Sequence, residues 1–118
     1  MRTTAPKPMR RGDVVIVADR GGGDYASKPR PAVVVQSDLY DQTLSVAVCP
    51  VTTVAHDAAL LRLSLASSAW LPQRAPSWIM VDKLTSVRRD RIGQTIGRIS
   101  DDEAVALNRS LAVFLGFG

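Results

Sequence analysis

The chain has 118 residues, 46% hydrophobic and 22% charged, a balance typical of one globular domain. Its formal net charge is +4, and most of its 15 basic residues are arginines. Because a guanidinium group matches the oxygens of a phosphate, this excess favours a polyanionic partner, although a bias in the coding DNA explains it about as well. One cysteine and one histidine exclude an intramolecular disulfide and a zinc site within a single chain.

Composition predicts an N-terminal arm followed by one domain. Residues 1–10 carry Pro6 and Pro8 and several basic residues, and they are predicted to form a flexible basic arm. The N-terminus lacks the apolar stretch of a signal peptide, and no apolar run approaches the ~20 residues of a membrane span. We therefore expect a single domain over residues 11–118 in the cytoplasm, without membrane association.

The first half of the domain is predicted to be β-structure. The β-branched run from Asp13 to Ala18 predicts a strand, and the glycine-rich segment from Arg20 to Pro29 predicts a long mobile hairpin loop. Loops of this length usually bind something. The apolar run from Pro31 to Gln36 predicts a central strand buried on both faces. A third strand is predicted from Leu44 to Pro50, where the proline should end it.

The second half continues with shorter strands. The segment Leu60 to Leu65 alternates between apolar and polar residues from Leu61 on, which is typical of a strand with one solvent-exposed face. Ser77 to Lys83 predicts a fifth strand. Ser86 to Arg89 and Gly93 to Ile99 are two further candidates. Short strands followed by one helix predict a mainly β fold, a small barrel with the helix packed on it.

The C-terminal segment carries the signals of an amphipathic helix. Ser100 and Glu103 have the spacing of a capping box, and Gly116 stands where a glycine ends a helix. The spacing between them predicts one apolar face, formed by Ala104, Leu107, Leu111, Phe114 and Leu115.

Few residues are suited to chemistry, and each has an ordinary structural alternative. Arg30 precedes the buried strand and is well placed to meet an anion, yet by itself it resembles a surface arginine. Thr52 and Thr53 carry hydroxyl donors, or simply close a strand. His56 could transfer protons or be a solvated loop residue. Asp82 interrupts an apolar strand, where an acid needs a partner if it is buried. It could accept hydrogen bonds from the active-site loop or simply point outward.

Several segments, taken in order, resemble the MazF/PemK family of toxin endoribonucleases. Each is weak alone, but together they follow the order of the family from about Arg11 to the C-terminus. They are Arg11-Gly12-Asp13-Val14-Val15, Lys28-Pro29-Arg30-Pro31-Ala32-Val33-Val34-Val35-Gln36, Val48-Cys49-Pro50-Val51-Thr52-Thr53, Val81-Asp82-Lys83-Leu84 and Ile96-Gly97-Arg98-Ile99-Ser100.

The resemblance implies an SH3-like β-barrel of the CcdB/PemK type with a C-terminal helix, working as a homodimer. It implies metal-independent, sequence-specific cleavage of single-stranded RNA through a 2′,3′-cyclic phosphate, with no cofactor. It also implies neutralisation by a cognate antitoxin protein. Arg30 and Thr53 match the catalytic positions of the family. The residues expected to contact RNA are Arg20, Lys28, Gln36, Thr52, His56 and Asp82.

Two other classes of function are compatible with the same barrel. A CcdB-like gyrase poison binds a protein through the exposed end of its C-terminal helix. The ending Leu115-Gly116-Phe117-Gly118 is compatible with this hypothesis. A non-catalytic SH3-like binding module is the third possibility. Incubation of the purified chain with a long RNA in EDTA separates the three classes.

Overall fold

The computed structural model describes residues 9–18, 29–54, 61–65 and 76–117. These ranges contain strands β1 (Asp13–Val17), β2 (Arg30–Val34), β3 (Ser45–Thr52), β4 (Arg62–Leu65), β5 (Ser77–Met80), β6 (Thr85–Arg88) and β7 (Ile92–Arg98), and helix α1 (Asp101–Leu115). Three short 3₁₀ turns lie between them: η1 (Asp38–Tyr40), η2 (Val81–Lys83) and η3 (Arg89–Arg91). Most of the predicted arm, residues 1–8, and most of the predicted loop, residues 19–28, lie outside the described residues.

The strands form one antiparallel sheet in the order β4-β5-β3-β2-β1-β7, with β6 also paired to β3. Strand β3 is the centre of this sheet. Its first half, Ser45 to Val48, pairs with β6, and Val51 and Thr52 pair with β5 along the same edge. One strand that serves two partners in this way bends the sheet into a barrel-like shape, which confirms the predicted mainly β fold with a C-terminal helix.

Pro50 does not end the third strand as predicted. Strand β3 continues to Thr52, and Pro50 itself lies opposite Ala32 of β2. On the other edge of β3, Pro50 falls between Val48, the last partner of β6, and Val51, the first partner of β5. A residue without an N–H is tolerated where a ladder changes partner, because no continuous hydrogen-bond row passes through it.

The fifth strand is shorter than predicted. Strand β5 ends at Met80, and the chain then forms the 3₁₀ turn η2 over Val81–Lys83. Val81 is fully buried, and its backbone N–H donates to the carbonyl of Leu61 at 2.9 Å. The apolar periodicity therefore continues past the strand because Val81 enters the core from a turn.

Two apolar clusters lie on opposite faces of the sheet. The larger cluster packs strand residues such as Val33, Cys49 and Ile79 against Leu107 and Leu111 of α1. The smaller one consists of Val15, Ala32, Val34, Val46 and Val48. Consecutive residues of β2 alternate between these clusters, so the whole strand is buried beyond Arg30, as its apolar run predicts.

Helix α1 has the predicted ends. The Ser100 hydroxyl accepts from the Glu103 backbone N–H, the Glu103 side chain accepts from the Ser100 backbone N–H, and Gly116 adopts a φ of 89° in the left-handed region. The predicted apolar face is buried at Leu107 and Leu111 only. Phe114 and Leu115, at its C-terminal end, are exposed in the single chain.

Polar contacts at the start of β1 join the sheet to the helix. The Arg11 guanidinium donates to Asn108 Oδ1 on α1 at 2.8 Å, and Arg98 on β7 donates to Asp13 at 2.7 Å. Gly12 between them has a φ of 92°, a conformation that favours glycine. The Arg11-Gly12-Asp13 segment therefore has a structural role in this fold.

Candidate active site

An open cleft of about 440 Å³ lies beside the first residue of β2, where Arg30 is exposed at the strand end. Apolar residues of the smaller cluster and their neighbours form its floor. The described lining residues are Val17, Ala18, Arg30, Pro31, Ala32, Val48, Pro50, Thr85, Ser86, Val87, Arg88 and Arg91. Three of them are arginines and none is acidic, so the described walls of the cleft carry positive charge only.

Backbone pairing fixes Arg30 at this position. Arg30 lies opposite Val17 at the end of β1, and the register of β2 against β3 pairs Ala32 with Pro50. A strand end of this kind holds a side chain more rigidly than a loop does. Backbone pairing therefore fixes the point beside the cleft from which the Arg30 side chain extends.

The pairing of β2 with β3 ends at Ala32 and Pro50. Extrapolated by two residues, the same register favours Thr52 over Thr53 as the residue opposite Arg30. Neither threonine is among the described lining residues of the cleft. Thr53 follows the last residue of β3 and is exposed. The Thr52 hydroxyl oxygen accepts from the Val54 backbone N–H at 3.1 Å, which leaves its own hydrogen available for a ligand.

The polar atoms of Gln36 hold the connector between β2 and β3. Its amide nitrogen donates to the Tyr40 carbonyl at 2.7 Å and to the Thr43 hydroxyl at 2.8 Å. Its amide oxygen accepts from the Ala47 backbone N–H at 3.0 Å. Gln36 is thus engaged inside the chain, and it does not line the Arg30 cleft.

Asp82 lies in the turn η2 and forms an ion pair with Arg62 of β4. The Arg62 side chain is only 8% exposed and that of Asp82 28%. The Asp82 carboxylate balances the charge of the nearly buried Arg62 guanidinium. Arg62 is thus the partner that an acid at this position needs. Asp82 is also absent from the described lining of the cleft.

The remaining predicted RNA contacts, Arg20, Lys28 and His56, lie outside the described residues. Sequence reasoning, in turn, missed the cleft residues Arg88 and Arg91. The available signal was the run Arg88-Arg89-Asp90-Arg91, which begins at the end of one short predicted strand and precedes the next. Its relation to Arg30 depends on the pairing of β6 with β3.

The described ranges contain no group of three or more His, Cys, Asp or Glu side chains arranged to hold a metal ion. Cys49 lies in the core, away from the cleft. Burial raises the pKa of its thiol to about 12, and the Arg11 guanidinium offsets part of that rise. In the described part of the chain, no helix is long and apolar enough to cross a membrane.

A bent antiparallel sheet, a capped C-terminal helix and an arginine-lined cleft define a small barrel-like protein with a site suited to a polyanion. Residues 10–115 match the model of the PemK-like, MazF-like toxins of type II toxin–antitoxin systems, and the chain belongs to this family.

A relative from Mycolicibacterium smegmatis, a probable endoribonuclease MazF, is 41% identical over 108 residues, which cover 92% of this chain and 97% of that protein. Two solved structures share the fold. A mycobacterial endoribonuclease in complex with its cognate antitoxin has a TM-score of 0.76 and 21% identity, covering 93% of this chain and 97% of its own. A MazE–MazF complex from Deinococcus radiodurans has a TM-score of 0.79 and 19% identity, covering 95% of this chain and 100% of its own.

Proposed function

We propose that this chain cuts single-stranded RNA in the Arg30 cleft, without a metal ion, and that its action stops translation and growth until a cognate antitoxin neutralises it. Its assignment as a toxin endoribonuclease follows from its family and from its 41% identity to a MazF endoribonuclease over most of both chains. Beyond this assignment, we propose the cleavage chemistry, the specificity for single-stranded RNA and the residues that act.

The observation that carries the proposal is the composition of the cleft. Arg30 stands at the end of a paired strand, and the described lining of the cleft holds three arginines and no acid. The register of β2 against β3, extrapolated by two residues, supports Thr52 as the neighbouring hydroxyl. A phosphodiester is the substrate group that matches such a site, since guanidinium and hydroxyl groups both donate to its oxygens.

In the proposed reaction the RNA supplies its own nucleophile. The ribose 2′-oxygen forms a bond to the adjacent phosphorus while the bond from phosphorus to the 5′-oxygen breaks. The 2′-hydroxyl loses its proton and the departing 5′-oxygen gains one, leaving a 2′,3′-cyclic phosphate and a 5′-hydroxyl. The protein need only position the strand, move protons and stabilise the charge on the pentacoordinate phosphorus.

Arg30 is proposed to bind the non-bridging phosphate oxygens, because its permanent charge suits it to stabilising negative charge. A threonine hydroxyl is proposed to donate to the same phosphate. The register favours Thr52 for this role, whereas the family resemblance predicts Thr53. Single substitutions of Thr52 and Thr53 distinguish the two assignments.

Solved complexes of similar proteins suggest the partners of this chain. A MazE–MazF complex is known from Deinococcus radiodurans, and a mycobacterial endoribonuclease is known with its cognate antitoxin. We propose that an antitoxin protein likewise covers the RNA site of this chain, that the chain forms a homodimer, and that it acts in the cytoplasm, where messenger RNA is found.

The test compares Arg30→Ala, Thr52→Ala and Thr53→Ala with the wild-type chain on a long RNA in EDTA. Wild type should give discrete fragments with 2′,3′-cyclic phosphate ends. Arg30→Ala should cleave roughly 10²–10³-fold more slowly, as should the variant that lacks the contributing hydroxyl. Arg109→Ala, an exposed arginine on α1, is the matched control for lost charge and should cleave at the wild-type rate.

Three results would contradict the proposal. A folded Arg30→Ala variant that cuts at full rate would remove Arg30 from the reaction. Linear 3′-phosphate or 3′-hydroxyl ends, formed without a cyclic intermediate, would exclude attack by the 2′-oxygen. Intact RNA with wild-type protein, accompanied by arrested DNA supercoiling, would favour the gyrase poison, and intact RNA without that effect would favour the binding module.

A further inference from the structure

Arg88 and Arg91 line the same cleft as Arg30. Arg88 is the last residue of β6 and Arg91 the last residue of η3. The floor between the three arginines is apolar, formed by residues such as Val48 and Val87. The cleft is therefore an apolar surface whose described lining includes three arginines.

The turn that carries these arginines is held at both ends. The Arg89 backbone N–H donates to the Leu44 carbonyl at 2.8 Å, and the Arg89 side chain donates to the Thr43 carbonyl at 2.5 Å. At the other end, the Arg91 carbonyl accepts from the Ala18 N–H at 2.9 Å. Arg89 is thus engaged by the β2–β3 connector, while its neighbours Arg88 and Arg91 remain in a fixed backbone beside the cleft.

The side chains of Arg88 and Arg91 are available to a ligand. Arg88 contacts Asp90 at 2.8 Å, but the two side chains are 69% and 64% exposed, and such a surface ion pair contributes little. A phosphate can take the place of Asp90 at low cost. Within the described ranges, the Arg91 guanidinium makes no hydrogen bond or ion pair.

We propose that Arg88 and Arg91 form a second phosphate site, which binds backbone phosphates of the RNA strand next to the one that reacts at Arg30. This inference rests on the proposed function. Arginine forks bind phosphate oxygens regardless of the attached base, and the apolar floor accepts the face of any base. The two arginines therefore set the affinity for single-stranded RNA in general, and the sequence of the cut site is determined elsewhere.

The test measures binding separately from cleavage. The probe is a fluorescent single-stranded RNA that contains a mapped cut site, with a 2′-O-methyl group on the reacting ribose so that no cleavage occurs. Its dissociation constant is measured by fluorescence anisotropy over a series of salt concentrations for wild type, Arg88→Ala, Arg91→Ala and Arg109→Ala. Arg109 is the matched control because it is an exposed arginine of α1 outside the described cleft lining.

Loss of a charge-assisted contact should raise the dissociation constant about tenfold in Arg88→Ala and in Arg91→Ala. The slope of log affinity against log salt should fall by about 0.7 for each lost phosphate contact. Arg109→Ala should keep the wild-type slope although its net charge changes equally. Asp90→Asn should tighten binding, because it frees Arg88 from its competing carboxylate.

On cleavable RNA, both variants should raise KM and leave kcat and the cut-site sequence unchanged. An altered cut-site sequence, or wild-type salt slopes in Arg88→Ala and in Arg91→Ala, would overturn the inference. If Arg91→Ala does not fold, Arg91→Gln replaces it. The variants Arg88→Ala and Asp90→Asn, at exposed positions, test the phosphate site independently of Arg91. RNA that stays intact with wild type refutes the cleavage proposal, and the same anisotropy series is then run on an unmodified single-stranded RNA. Unchanged binding in both variants refutes the phosphate site, whether or not the RNA is cut.

Discussion

At the scale of single residues, the thiol of Cys49 reports directly on the packing of the core. Cys49 lies in β3 with no exposed surface, among residues such as Val33 and Ile79 of the larger cluster. Burial raises its pKa to about 12 because a thiolate is poorly solvated there, and the positive charge of Arg11 only partly compensates. The reactive thiolate is thus almost absent near neutral pH.

The pKa of Cys49 predicts how stability changes in alkali. An unfolded thiol ionises near 9.0 and the folded one near 12, so this group stabilises the fold fully below about pH 9 and loses that contribution as the pH rises toward 12. We expect the free energy of unfolding, from urea titrations between pH 7 and pH 11, to fall less steeply above pH 9 in Cys49→Ala than in wild type. Equal slopes would contradict this, as would rapid labelling of the native thiol by a disulfide reagent at pH 8.

Asp82 illustrates the difference between a residue type and its environment. From the sequence, the Asp82 carboxylate could accept hydrogen bonds from the active-site loop or simply point outward, and the family resemblance predicted a contact with RNA. The folded chain pairs it with Arg62, which is nearly buried and whose charge would be costly without a counterion. A contact of Asp82 with RNA stays a prediction, but its structural role is sufficient to explain an acid at that position.

At the scale of elements, helix α1 depends on local signals at its start. Ser100 and Glu103 form a reciprocal capping box, and Asp101 and Asp102 add negative charge to the first turn. The helix then buries Leu107 and Leu111 against the sheet, which fixes its position. The cap therefore contributes to the stability of the whole domain, since the helix completes the larger cluster.

We expect Ser100→Ala to lower the free energy of unfolding by about 1 kcal/mol, because it leaves a first-turn N–H without its acceptor. Ser100→Gly should lower it by only a few tenths of a kcal/mol, since glycine is tolerated at this position. Urea unfolding followed by circular dichroism measures both. Ser64→Ala on the exposed face of β4 is the control and should be near neutral; equal losses for Ser100→Ala and Ser100→Gly would contradict the capping role.

At the scale of the molecule, the C-terminal end of α1 leaves apolar side chains without cover in the single chain. Val113, Phe114 and Leu115 are exposed, and Phe117 beyond the helix is 80% exposed. Single exposed apolar residues are ordinary, but several together mark an interaction surface. The proposed homodimer offers a place for them.

We expect sedimentation equilibrium at micromolar concentration to give twice the mass of one chain, because a second copy can bury apolar surface that the monomer leaves in water. The measurement is repeated over a tenfold dilution series to detect dissociation. A mass of one chain at tens of micromolar would contradict the homodimer and leave the exposed helix end to another partner.

The amino-acid sequence by itself determined the elements that depend on neighbouring residues. Alternating and continuous apolar runs predicted the strands, and the spacing of Ser100, Glu103 and Gly116 predicted the helix with both ends. The order of the motifs indicated the family, and the family resemblance in turn made Arg30 a candidate catalytic residue. These features are encoded locally, because strand and helix periodicity and capping involve residues a few positions apart.

Only the tertiary structure decided how these elements meet. The turn after Met80, the continuation of β3 through Pro50 and the pairing of β6 with β3 depend on long-range partners that periodicity does not specify. The same pairing puts Arg88 and Arg91 into one cleft with Arg30, and the register of β2 against β3 favours Thr52 as its neighbour. Register follows from which faces are buried and how strands pair across the sheet, so a site built from four strands appears only in the folded chain.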